Sequence, residues 1–187
     1  MSPIRSILGL TLALASFSSA ACGPVGNLVE NCSFDVDLAG YTAQEGGDVI
    51  QHEASAGNLA AGAMRVTDTD ADSGSQAEAE SCINLGTERG YRLSASFRAV
   101  SADTCLLGWD EYLGTDCTQP NGMFVASAAA AVNNKAFTTL TTHQSAGSLV
   151  YSVELVILCD GTAGQTEYLV DDVHLVPELL FRNGFEG

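Results

Sequence analysis

Four adjacent side chains, Trp109, Asp110, Glu111 and Tyr112, have the types from which a sugar-binding lip is made. An exposed aromatic ring stacks on the apolar face of a sugar, and neighbouring carboxylates accept hydrogen bonds from its hydroxyls. Packing of Trp109 in a core is the plain alternative. A second group, Asp68-Thr69-Asp70-Ala71-Asp72-Ser73-Gly74, sets acids at alternate positions and begins like a calcium loop. The pattern then departs from an EF-hand, because Ser73 stands where glycine is required and Ala79 where the bidentate glutamate is required. A plain acidic turn is the competing reading. The third candidate is Asp171, which shares the parity of Leu169, Val173 and Leu175. If that parity faces the interior, a carboxylate is buried and must be paired, protonated or bound to metal. Cations are scarce in the chain, so calcium is the expected partner, with a position at the wet end of the strand as the alternative.

Catalytic signatures are missing. There is no Gly-x-Ser-x-Gly and no His-Glu-x-x-His, His52, His143 and His174 stand apart, and no pair of acids is singled out for glycoside cleavage. No catalytic residue is assigned, and the chain is read as non-enzymatic.

The elements that must position these residues are strands. Tyr91 to Ala99 alternates with a period of two, setting Tyr91, Leu93, Ala95, Phe97 and Ala99 on one side. Leu149 to Cys159 puts Leu149, Tyr151, Val153, Leu155, Ile157 and Cys159 on one side, and its other side is partly apolar, as a central strand requires. Shorter β-prone runs are Asn27 to Glu30, Asp48 to His52, Ala63 to Thr67, Glu80 to Leu85, Cys105 to Trp109, Ala136 to Thr142 and Glu167 to Val176. The alanine-rich run Val125 to Val132 stays open between a helical turn and a small-residue strand. Many short strands separated by Gly, Asn and Asp predict an all-β, antiparallel β-sandwich of jelly-roll type.

Residues 1–20 read as a secretory signal peptide: Arg5, an apolar run from Ile7 to Ala15, then small residues up to Ala20. The competing reading is a lipoprotein anchored through Cys22. Removing that segment leaves 167 residues, ordinary for one domain, carrying six Lys and Arg against 23 Asp and Glu, hence a formal charge of −17. Such a surface repels nucleic acid and anionic lipid. No stretch approaches the roughly 20 apolar residues of a membrane helix. The expected address is secreted or periplasmic.

Six cysteines in an exported chain predict three disulfides, without the spacings of a zinc site or a thioredoxin-like centre. Proximity suggests Cys22–Cys32 and Cys105–Cys117, which leaves Cys82–Cys159.

With strands and ends in place, the chain resembles the CenC-type carbohydrate-binding modules attached to bacterial cellulases and xylanases. The resemblance lies in the opening Asn27-Leu28-Val29-Glu30-Asn31-Cys32-Ser33-Phe34-Asp35, the middle Ala63-Met64-Arg65-Val66-Thr67, the strand Tyr91-Arg92-Leu93-Ser94-Ala95 and the closing Tyr168-Leu169-Val170-Asp171-Asp172-Val173-His174-Leu175. The family has Gly and Glu where this chain has Cys32 and Asp35. The resemblance implies a β jelly roll over residues 21–177, a glycan as ligand, and a structural calcium held by Asp35 and Asp171. Within the tail, residues 178–187, Leu180-Phe181-Arg182-Asn183-Gly184-Phe185-Glu186-Gly187 is similar to short Phe-x-x-Gly-Phe-Glu endings of some exported bacterial proteins, and a hydrophobic strand closing the sheet is the plain alternative. The expected function is therefore a secreted carbohydrate-binding module using Trp109, Asp110, Glu111 and Tyr112. A structural or adhesive surface protein is the alternative, and a glycoside hydrolase a distant third.

Overall fold

A computed structural model describes residues 23–44, 47–59, 61–69, 76–161 and 166–178, apart from the side chains at 76, 77 and 126–129. Ten strands form: β1 (Thr42–Ala43), β2 (Asp48–His52), β3 (Met64–Asp68), β4 (Gln76–Asn84), β5 (Gly90–Ala99), β6 (Thr104–Tyr112), β7 (Pro120–Ala131), β8 (Thr138–Ser145), β9 (Ser152–Asp160) and β10 (Glu167–Pro177). They build two five-stranded sheets, β1-β4-β9-β6-β7 and β2-β3-β10-β5-β8, and every pairing is antiparallel. The all-β, disulfide-stapled sandwich expected from the alternation is the architecture observed.

The core lies between the inner faces. Tyr91, Leu93, Ala95 and Phe97 of β5 meet Leu107 and Trp109 of β6 and Val153, Leu155 and Ile157 of β9. Tyr91 and Trp109 pack edge to face with centroids 6.1 Å apart, and the Tyr168 hydroxyl of β10 donates to the Ile157 carbonyl of β9 at 2.6 Å, tying one sheet to the other. Trp109, Tyr91, Tyr168, Phe34 and Phe97 are among the largest side chains closed to solvent, and each contributes on the order of 2–3 kcal/mol of apolar burial.

Three strand expectations change. Asn27 to Glu30 is irregular, although the Leu28 amide still donates to the Leu175 carbonyl of β10. The chain turns before β9, so Leu149 and Tyr151 are exposed and only the alternation from Val153 onward points inward. The alanine-rich run resolves as strand: β7 pairs along β6 from Thr104↔Ala131 to Tyr112↔Pro120, and that ladder outweighs the helix preference of alanine.

Two disulfides are re-paired relative to expectation. Cys105 joins Cys159, and Cys82 joins Cys117. The pleat explains why. Cys105 and Cys159 are register partners on β6 and β9, both closed to solvent on the inner face with Cα atoms 4.0 Å apart. Cys82 points outward from β4, so it cannot reach the inward Cys159. Closing stretches of 35 and 54 residues, the two bridges each contribute on the order of 4 kcal/mol through the unfolded chain. Cys32 is disulfide-bonded, while Cys22 of the expected Cys22–Cys32 bridge lies outside the described residues. So do the signal segment, residues 179–187 of the tail and residues 70–74 of the acidic turn.

Candidate binding face

Strand β6 decides which candidate residues share a surface. It runs unbroken to Tyr112, so the expected lip is strand and the loop begins at Leu113. Period-two alternation then separates the four residues. Trp109 is closed to solvent in the core, and Glu111, 5% exposed, also faces inward, where its carboxylate accepts from the Gly147 amide and the Asn121 side-chain amide. Both are therefore corrected from exposed binding residues to structural ones. Asp110 and Tyr112 point out, onto the outer face of the β1-β4-β9-β6-β7 sheet.

Register places their neighbours there. One row reads Cys82, Glu154, Asp110, Phe124 across β4, β9, β6 and β7; the next reads Glu80, Val156, Gly108, Ala126; the third reads Glu78, Leu158, Leu106, Ala129. The Tyr112 hydroxyl donates to Glu154 Oε2 at 2.5 Å, which holds the phenol proton and raises the Tyr112 pKa. Phe124, half-exposed, leans over Gly108: a Cβ there would lie 3.2 Å from the ring and 2.9 Å from the Val125 carbonyl, so the glycine makes room for it. The face thus offers two aromatic rings, an apolar floor at Val156, Leu158 and Leu106, and the acids Glu78, Glu80, Asp110 and Glu154.

Its electrostatics are one-sided. Burial, then repulsion from Glu80, Asp48, Asp110 and Glu154, pushes the Glu78 carboxyl up to about 7. Burial, then Glu154, raises Asp110. Among the described residues no salt bridge reaches Glu78, Asp110 or Glu154.

Loop 113–119 closes one end of the face. The Ser152 hydroxyl donates to the Gly114 carbonyl at 2.7 Å and accepts from the Cys117 amide at 3.0 Å, Asn84 and Asp116 exchange two bonds of 2.7 and 2.8 Å, and the Cys82–Cys117 bridge clamps the loop to β4. Beside that clamp a cleft of about 610 Å³ opens between the segment Leu28 to Tyr41 and the end of β4, with Cys82 on its wall.

Asp171 sits elsewhere. Tyr168 and Val170 face the core, so Asp171 lies on the outer face of the opposite sheet, and the bulge between Asp171 and His174, with Asp172 at φ 52°, restores inward parity for Val173 and Leu175. The parity argument missed the extra residue. Asp171 is nevertheless buried, because the Asn58 loop covers it: its carboxylate accepts from the Asn58 and Asp172 amides, each at 2.7 Å, and burial raises its pKa to about 6. Asp35 is exposed and accepts from the Ser33 hydroxyl. Among the described residues no cluster of three ligating His, Cys, Asp or Glu side chains is present, although the charges of Asp172 and Asp35 act on Asp171 and add to the rise in its pKa.

Among the described residues His52 and His143 meet no hydroxyl or thiol nucleophile. His52 Nε2 meets the Phe34 carbonyl at 2.6 Å and His143 Nδ1 meets Glu178 at 2.5 Å.

Sequence reasoning missed Glu78, Glu80, Glu154 and Phe124. A usable signal was present in β9, where Glu154 interrupts an otherwise apolar strand opposite Asp110.

No family model and no curated protein matches the chain. Solved structures do match in fold. The Clostridium thermocellum endo-1,4-beta-D-xylanase 10B CBM22-1–GH10 modules, complexed with xylohexaose, align at TM-score 0.66 and 17% identity over 83% of this chain, which spans only 29% of that one. The CBM22-2 xylan-binding domain of Paenibacillus barcinonensis Xyn10C aligns at 0.60 and 8% over 79% of this chain and 98% of that one. TmCBM61 in complex with beta-1,4-galactotriose aligns at 0.54 and 12% over 81% and 99%. The fold of this chain is the β-sandwich jelly roll found in carbohydrate-binding modules.

Proposed function

We propose that this protein is a secreted, non-catalytic module that binds polysaccharide along the outer face of the β1-β4-β9-β6-β7 sheet. The observation that carries the reading is the coincidence of Tyr112 and Phe124 with a group of carboxylates on one open face. Rings supply stacking surface, and the acids accept from sugar hydroxyls. The jelly-roll likeness to modules described with xylohexaose and galactotriose supports it, and the disulfides support an oxidising compartment outside the cytosol.

Affinity electrophoresis of the oxidised protein through gels containing xylan, β-galactan or other soluble glycans tests the reading. Retardation by at least one glycan, lost in Phe124→Ala while the circular dichroism spectrum is kept, is the expected result. A folded protein that migrates freely through the whole panel overturns it and favours an adhesive role. A parallel gel with chelator tests the calcium expected at Asp35 and Asp171: unchanged mobility and melting temperature remove calcium from the account.

A further inference from the structure

The acids of the binding face fall into two pairs, one along β4 and one across β9 and β6. Glu78 and Glu80 lie two residues apart on β4, roughly 6.7 Å along the strand, and Glu154 stands directly opposite Asp110 across β9 and β6. Like charges placed directly opposite destabilise a sheet, and although Glu154 accepts the Tyr112 hydroxyl, neither of that pair meets a cation among the described residues. Glu78 adds a second observation. It is 7% exposed and lies on the same outer face, and no salt bridge among the described residues reaches it. A largely buried carboxylate among other acids is costly to ionise unless a cation meets it, and burial followed by repulsion from Glu80, Asp48, Asp110 and Glu154 raises its pKa.

A neutral glycan brings hydroxyl donors to these acids and leaves their mutual repulsion in place. A glycan with ammonium groups brings donors and compensating charge together, adding to each bond a Coulomb attraction that a hydroxyl donor lacks. We propose that the glycan selected by this face is an amino-sugar polymer with free amino groups, its rings against Tyr112 and Phe124 and its ammonium groups against Asp110, Glu154 and Glu78. This rests on the glycan-binding reading above. Polyuronates are excluded by the same acids.

The test is titration calorimetry with β-1,4-glucosamine oligomers, their N-acetylated counterparts and xylan oligomers, at low and moderate salt. The protein is compared with Asp110→Asn/Glu154→Gln and with the charge-matched control Glu30→Gln/Glu88→Gln, both of whose sites lie outside the two pairs. The free-amine oligomer is expected to bind at least about tenfold tighter than the acetylated one, a preference worth about 1.4 kcal/mol. The Asp110/Glu154 variant is expected to lose it and the control to keep it. Because that variant relieves a like-charge pair, its melting temperature is expected to hold or rise. Equal losses in both variants would mean attraction by net charge alone and overturn the proposal. Equal affinity for acetylated or xylan oligomers would overturn the selection while leaving the glycan reading intact. Absence of binding to every oligomer and every polysaccharide would overturn both.

Discussion

The two outer faces of the sandwich use the same pleat and spend their charges differently. On the β2-β3-β10-β5-β8 sheet several charged groups find partners within the chain. Arg65 of β3 bonds Glu53 and Glu167, Arg98 of β5 lies 5.0 Å over the Phe137 ring, His143 of β8 meets Glu178, and Asp171 is held by two amides. On the opposite face Asp110 and Glu154 confront each other, Glu78 is buried among acids, and Phe124 leaves half its ring in water. Folding physics explains the first face. On the second, the Tyr112 hydroxyl bonds Glu154 but no salt bridge among the described residues reaches Glu78, Asp110 or Glu154, and a ligand that supplies cationic donors and apolar contact offsets the remaining repulsion.

The largest effect should come from neither face but from the residue that separates them. Trp109→Ala empties a fully buried site against Tyr91 and is expected to cost about 3–5 kcal/mol of stability, seen as a lower denaturant midpoint. A glycan-binding loss without destabilisation would put the ring back on the surface. Next comes Phe124→Ala, expected to weaken glycan binding by about 2 kcal/mol while stability stays nearly constant, as for an interface anchor. Arg92→Gln, on the opposite sheet, is its control and should leave affinity unchanged; a loss there instead would transfer the function to the partnered face.

The pH dependence separates the faces by a smaller margin. The folded-state pKa of Glu78 is raised from 4.5 to about 7, so the native state holds the proton more tightly than the unfolded chain. Stability from this group is present below about pH 4.5 and lost as pH rises through 7, by about 2 kcal/mol. Glu78→Gln should remove that decline and leave the variant more stable than the parent at pH 8 in chemical denaturation. An unchanged slope would mean that the carboxylate is compensated. Smallest is Asp171→Ala, which leaves the amides of Asn58 and Asp172 without their acceptor and is expected to cost about 1 kcal/mol. A gain in stability would show that burial of the charge outweighs its two bonds.

Much of the fold was legible because period-two alternation is a local property. Tyr91 to Ala99 named its own inner face, and Glu167 to Val176 its own strand. What was not legible depended on events that alternation cannot signal. One inserted residue at Asp171 and Asp172 reverses the parity on which the burial argument relied, and an aspartate in the left-handed region gives little warning of it. The cysteine partners depend on which side of the sheet each sulfur leaves, so proximity along the chain misled: Cys105 and Cys117 are 12 positions apart in sequence yet face opposite sides. For the candidate site, Asp110 and Tyr112 were visible as residue types, but the binding face itself exists only once β4, β9, β6 and β7 are in register.

The most direct test of the face assignment is chemical-shift mapping of the amide spectrum during titration with a glycan that retards the protein. The account predicts the largest perturbations at residues 78–82, 106–112, 124 and 154–158, with β3, β5 and β8 unmoved. Perturbations concentrated around Arg65, Arg92 and His143 would contradict it.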